Sequence, residues 1–223
     1  MLDAAVASAE EFGDPEGAWL FPEEAVVVAK AVDKRRREFT TARHCARAAL
    51  RQLDVAPAPI LPGEHGAPRW PAGVVGSMTH CAGYRAAAVA RAADILTIGI
   101  DAEPDEAIPD GVLDHVSLPD ERTRLRDLAA RAPGTSWDRL LFSAKESVYK
   151  AWFPLARRWL GFEEAEVTID AAGGTFTARL LVSAPGVPPG FAGRWIASGG
   201  LLVTSITVPA ADARNPPGTP GNG

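Results

Sequence analysis

The chain has 223 residues, 47% hydrophobic and 23% charged, which is enough apolar material for a sizeable core and excludes a disordered chain. A net charge of −5 argues against a nucleic-acid partner, and no apolar run reaches the ~18 residues of a membrane span. Asp3, Glu10 and Glu11 stand where a signal peptide needs positive charge, and two cysteines, Cys45 and Cys81, suggest no disulfide framework, so the expected compartment is the cytoplasm.

Residues 1–21 mix acidic, Gly and Pro residues with a few apolar ones and are expected to wrap the surface. Over 23–53 the pattern is helical, with Phe39, Ala42, Ala46, Ala49, Leu50 and Leu53 as an apolar stripe. Five prolines and three glycines in 55–73 predict a long loop in which Trp70 covers the core. A strand, a polar turn at 79–83 and a second strand are expected over 74–90. The stretch 96–103 is the clearest strand: Ile98, Ile100 and Ala102 face one way, Gly99, Asp101 and Glu103 the other, and Pro104 ends it. Residues 119–131 predict a charged helix. Another runs over 137–152, capped by Ser136, stopped by Pro154 and carrying an apolar face from Trp137 to Trp152. Residues 167–169, 175–182, 194–197 and 201–208 predict a meander of strands, and 211–223 a disordered tail.

Walker, G-x-G-x-x-G, H-E-x-x-H, C-x-x-C and G-x-S-x-G signatures are absent, which lowers nucleotide-loop, Rossmann, zinc and serine-hydrolase readings. Three constellations carry chemistry. Arg36, Arg43, Arg47 and Arg51 share one helical stripe; like charges at i,i+4 repel by about 0.2–0.5 kcal/mol per pair unless an anion lies across them. A solvated arginine face and a phosphate-bearing ligand both satisfy that pattern. Asp101 and Glu103, about 6.6 Å apart on one strand face, suit either a hard cation or the charged edge of a sheet. The third is Lys145, Glu146 and Lys150 on one helix; Glu146 and Lys150 are neighbours opposite its apolar face, and on pattern alone they read as an i,i+4 surface ion pair. His80 reads as a structural hydrogen-bonding residue or a catalytic one.

Taken together, F-T-T-A-R-H-C-A-R (39–47), G-A-P-R-W-P (66–71), G-S-M-T-H-C-A-G-Y (76–84), I-G-I-D-A-E (98–103) and F-S-A-K-E-S-V-Y-K-A-W (142–152) resemble the 4′-phosphopantetheinyl transferases. The resemblance covers roughly residues 35–155 and is to the single-chain, Sfp-like and EntD-like class in its actinobacterial style. It implies an α/β (α+β) fold of two similar halves related by a pseudo-twofold axis, each a small antiparallel sheet packed on a long helix. The halves would be 1–95 and 96–210, with coenzyme A between them.

By the same resemblance, Asp101, Glu103 and Glu146 are expected as Mg2+ ligands. Arg43, Arg51, Arg69, Thr79, His80, Lys145 and Lys150 are expected to bind coenzyme A. Glu146, Lys150 and His80 are the expected catalytic residues, with Glu146 or a magnesium-bound water taking the proton. Phosphopantetheine would pass to a serine of an apo acyl or peptidyl carrier protein, as in secondary metabolite biosynthesis, with 3′,5′-ADP leaving. The enzyme would be a cytoplasmic monomer, and the carrier would dock near Tyr149, Trp152 or Phe153. Two departures from the family pattern are Ala102, where relatives carry Ile or Val, and Arg69, in a region where some carry lysine. The alternatives are a catalytically silent coenzyme A or carrier-protein binding module of the same fold, a structural α/β protein with solvated charges, or another magnesium-dependent phosphotransferase.

Overall fold

Two antiparallel sheets, each covered by a 20-residue helix, organise the computed structural model, which describes residues 1–210. The expected tail, 211–223, lies outside the described residues. The first sheet has strand order β1-β3-β2, from β1 (Ala7–Glu11), β2 (Val74–Cys81) and β3 (Tyr84–Arg91). β3 is rich in alanine and buried along nearly its whole length, so helix α2 (Asp33–Gln52) lies close upon it. Cys45, Ala46, Ala49 and Leu50 of that helix meet Ala87, Val89, Val74 and Ile60 in one core.

The sequence expectations shift here in three places. The helix expected over 23–53 is two, α1 (Pro22–Val27) and α2, because the chain turns at 28–32 to bury Glu24 beneath α2. The turn expected at 79–83 is shorter. Thr79, His80 and Cys81 stay in β2, paired with Ala86, Arg85 and Tyr84, and Gly83 alone takes the left-handed conformation, φ 76°. Polar side chains suggested a turn, yet they face a cavity and an inter-sheet seam. β1 arises in a segment expected only to wrap the surface; it is short, and only alternate residues are covered.

The second sheet has order β4-β8-β7-β6-β5, built from β4 (Ile95–Pro104), β5 (Ala165–Asp170), β6 (Thr175–Leu180), β7 (Gly190–Ser198) and β8 (Leu201–Pro209). Short helix α3 (Val112–Val116), unanticipated, precedes α4 (Pro119–Arg131), which spans the expected residues. Helix α5 (Trp137–Ala156) packs the expected apolar face, every member 4% exposed or less, into the core of this half. Pro154 does not stop it. A proline in the last turn removes one N–H bond, and the chain leaves only at Arg157, whose φ is 51°. Ser136 occupies the N-cap but makes no side-chain cap; its own N–H instead donates to Asp105 Oδ1 at 2.8 Å.

Gly99 fixes how closely α5 can approach β4. A Cβ there would lie 2.0 Å from the Ser147 carbonyl oxygen and 2.9 Å from the Ala151 nitrogen, both backbone atoms that cannot swing away. Gly99→Ala is therefore expected to lower stability by about 3 kcal/mol, at the upper end of overpacking costs. Urea unfolding checks this, and an unchanged midpoint would refute the contact.

Cys45 and Cys81 are free and buried. Burial is the main cause that pushes their thiols up, to about 12 and about 11, so both are neutral at physiological pH. Among the described residues, no helix is long and apolar enough to cross a membrane.

Candidate active site

β4 is the end strand of its sheet, but its free edge does not face water. The Ile100 N–H donates to Ser77 Oγ and the Ala102 N–H to Thr79 Oγ1, each at 3.1 Å, so two hydroxyls of β2 close the edge. Strand alternation puts Ser77 and Thr79 on this seam. The seam joins the two halves and overturns the charged-edge reading of Asp101 and Glu103.

Asp101 is buried, 5% exposed. Its Oδ1 accepts from Lys150 Nζ at 2.7 Å and from Thr79 Oγ1 at 3.1 Å, while Oδ2 is buried with no partner. Lys150 also donates to the Ile100 carbonyl at 3.1 Å, so two of its three N–H donors are engaged. Glu103 lies half-buried against Arg139, Oε2 to Nη1 3.0 Å, a partner that sequence reasoning missed. Ala102 is fully buried, as expected.

Glu146 stands one turn before Lys150 on α5. Desolvation raises its carboxyl above the usual range; Lys150 opposes this, and the nearby charges of Asp101 and Glu103 add to it. Glu103 is raised in the same way, first by desolvation and then by Asp101. The raised carboxyls of Glu103 and Glu146, set beside Asp101, make a place where a cation is favoured.

Lys145 leaves this group. One residue before Glu146, it points about 100° round the helix and is buried in an ion pair with Glu121 at 2.8 Å, also donating to the Phe162 carbonyl at 2.7 Å. Glu121 was not anticipated. It caps α4 through the Leu118 N–H at 2.6 Å and accepts from the Val167 N–H at 2.7 Å.

A cavity of about 1060 Å³ opens between the halves, lined by Arg43, Arg69, His80, Glu146, Tyr149 and Lys150 among others. Of the residues expected to bind coenzyme A or the cation, Arg51, Thr79, Lys145, Asp101 and Glu103 are not in its wall, and Glu146 is the expected cation ligand that is. Arg51 is exposed near the far end of α2, eight residues and about 12 Å along the axis from Arg43.

The arginine row is also differently resolved. Arg47 and Arg43 are buried, and the anion between them belongs to the chain itself. Glu24, fully buried, accepts from Arg47 Nη1 at 3.1 Å and lies 3.9 Å from Arg43 Nε. Arg43 further donates from Nε to the Ile60 carbonyl at 2.9 Å and stacks on Phe39. Burial lowers Arg43 to about 10, which still leaves a cation at neutral pH. Sequence reasoning missed Glu24, although a Glu at the third helical position after Phe-Pro is a capping signal: its Oε2 takes the Phe21 N–H at 2.9 Å.

His80 has Arg35 Nη1 at 2.8 Å from Nε2 and Glu38 Oε2 at 3.7 Å from Nδ1. Arginine only donates, so Nε2 accepts and the neutral ring carries its proton on Nδ1, facing Glu38. Desolvation lowers its pKa, with Glu38 opposing and Arg35 adding to the shift. Of the residues expected to receive a partner, Trp152 is buried in the core away from the cavity, whereas Tyr149 and the largely buried Phe153 both line it.

Among the described residues, no three His, Cys, Asp or Glu side chains are gathered as a ready cation cage. The donor chemistry nevertheless fits a hard cation: all-oxygen ligands, mutually repelling carboxyls and a buried carboxylate oxygen with no partner.

Comparison with known proteins follows the two halves. Residues 22–90 match the 4′-phosphopantetheinyl transferase N-terminal domain, and residues 97–187 the 4′-phosphopantetheinyl transferase superfamily. The chain is 63% identical over 195 residues to the 4′-phosphopantetheinyl transferase Svp of Streptomyces mobaraensis, covering 86% of this chain and 79% of that one. It is 51% identical over 212 residues to PptT of Mycobacterium tuberculosis, covering 91% and 92%. Against Npt of Nocardia iowensis it is 50% identical over 218 residues, covering 92% and 97%. With both halves matched and half or more of the residues identical along nearly the whole chain, this protein belongs to the 4′-phosphopantetheinyl transferase family.

Proposed function

We propose that this protein transfers 4′-phosphopantetheine from coenzyme A to a serine of an apo acyl or peptidyl carrier protein. The observation that carries the reading is one inter-half cavity of about 1060 Å³ with cationic Arg43, Arg69 and Lys150 and the raised carboxyl of Glu146 in its wall. That volume suits a ligand as long as coenzyme A. The N-terminal half, 1–95, supplies Arg43, Arg69 and His80 for the nucleotide phosphates. The C-terminal half, 96–210, supplies the carboxylates and Lys150 for the pyrophosphate.

The serine oxygen bonds to the β-phosphorus, the bond from that phosphorus to the bridging oxygen breaks, and 3′,5′-ADP leaves with that oxygen. Glu146 takes the serine proton, directly or through a water, as a carboxylate that lines the cavity. Lys150, fixed by Asp101 and the Ile100 carbonyl, has a third N–H for a phosphate oxygen. Asp101, Glu103 and Glu146 would hold Mg2+, whose positive charge offsets that of the pyrophosphate. His80 binds and orients rather than acting as a base, because Arg35 already occupies Nε2. Two buried thiols and a seam complete within one chain support a cytoplasmic monomer.

Intact-mass spectrometry of an apo carrier incubated with this protein, coenzyme A and Mg2+ tests the reading. A gain of one phosphopantetheine, abolished by chelator, is the expected result. Coenzyme A binding without any gain would favour the silent binding module. In the same assay Glu103→Gln should fold normally, since Gln still accepts from Arg139, yet lose turnover by at least about 10-fold as a charged ligand disappears. Full activity in that variant would remove Glu103 from the site.

A further inference from the structure

Thr79 sits beside the reacting groups without reaching the cavity. Its hydroxyl is buried on the seam, where it accepts the Ala102 N–H and donates to Asp101 Oδ1. A carboxylate oxygen only accepts, so one of the hydroxyl's two lone pairs takes the Ala102 N–H while its one hydrogen goes to Asp101 Oδ1. Lys150 donates to the same oxygen. Asp101 therefore receives two donors on Oδ1 and none on Oδ2, although both oxygens are buried. An unpartnered carboxylate oxygen in a buried site is costly, and among the described residues no donor relieves it. Its neighbour on the strand, His80, points to the other face and into the cavity wall, so the two adjacent residues divide the work.

We propose that Thr79 is a positioning residue for phosphopantetheinyl transfer: reaching across the seam, it holds Asp101 in one orientation that keeps Oδ2 free for a hard cation, and it does not touch coenzyme A. The proposal rests on the transferase reading above. Because the donor and the carboxylate come from different halves, the same bond makes cation affinity depend on the halves being in register.

The test compares Thr79→Val, which keeps the shape and removes the hydroxyl, with Thr79→Ser, which restores it. Thr79→Ala, with room for a water at the Ala102 N–H, is scored in the same way in case the valine variant does not fold. Mn2+ binding to each protein with coenzyme A is followed by electron paramagnetic resonance, coenzyme A binding is measured in chelator, and the Mg2+ concentration for half-maximal transfer is read from the mass assay. The expected result is about 10-fold or more weaker Mn2+ binding and a matching rise in the Mg2+ requirement for Thr79→Val or Thr79→Ala. Thr79→Ser should restore both, coenzyme A affinity in chelator should not change, and Thr79→Val should add no further loss of Mn2+ affinity in an Asp101→Asn background.

Unchanged Mn2+ affinity with weakened coenzyme A binding would overturn the proposal and make Thr79 a ligand contact. Equal losses in the serine and valine variants would overturn it as well, because shape and not the hydroxyl would then matter. Failure of the unaltered protein to transfer phosphopantetheine would instead defeat the reading on which the proposal stands.

Discussion

Asp101→Asn should lower kcat/KM for transfer by more than about 100-fold while leaving the fold intact, because the change removes a charge and keeps the shape. A ligand in direct contact with a cation is expected to matter more than the outer partners, whose loss costs about 10–100-fold. Asp101 also holds Lys150, Oδ1 to Nζ 2.7 Å, so the variant would loosen the cavity-lining ammonium at the same time. Lys150 keeps its bond to the Ile100 carbonyl and is a quarter exposed, so the unpaired ammonium can be solvated and the stability cost stays small. Steady-state rates by carrier mass, with a thermal melt beside them, check both halves of the statement. A normal rate in a folded Asp101→Asn would displace Asp101 from the chemistry.

Glu24→Ala should be the most destabilising single substitution considered, costing about 3–5 kcal/mol because it strips the counter-charge from buried guanidinium groups. That is a large share of the ~5–15 kcal/mol by which domains are stable. Four groups depend on this carboxylate: Arg47 at 3.1 Å, Arg43 at 3.9 Å, the Ile60 N–H at 2.8 Å and the Phe21 N–H at 2.9 Å. Glu24→Gln keeps an acceptor but loses the charge, and should fall between wild type and alanine. The effect should also reach the cavity, since Arg43 lines it. Urea unfolding of both variants, with coenzyme A binding at temperatures where they stay folded, is the measurement. A loss below 1 kcal/mol in Glu24→Ala would mean the arginines find other anions.

Where a functional relation is local, the sequence displayed it. Asp101 and Glu103 share a strand face because side chains alternate, and Glu146 and Lys150 share a helix face because four residues make about one turn. The same rules misled where they stopped short of the neighbour. The arginine stripe was real as periodicity, but its anion is Glu24, 23 residues from Arg47 and on another helix. Lys145 lies next to Glu146 in the chain and belongs to a different ion pair, because adjacent helical residues diverge by about 100°. Trp152 and Phe153 are adjacent in the motif, yet Trp152 is enclosed in the core of the second half while Phe153 also reaches the cavity wall.

Period and motif spacing by themselves determined the limits of helix 119–131, the β4 face bearing two carboxylates, the helix face shared by Glu146 and Lys150 and the family resemblance, which in turn implied the α/β fold. All of these depend on residues within one element or on motif order along the chain. The ion pair expected between Glu146 and Lys150 is instead one between Lys150 and Asp101. Only the tertiary structure decided that β2 closes the edge of β4 with Ser77 and Thr79, that Glu24 sits between two arginines, and that Arg43 and not Arg51 meets the cavity. Those facts turn on which surfaces meet, and burial rewards a particular meeting of distant segments that no local spacing encodes.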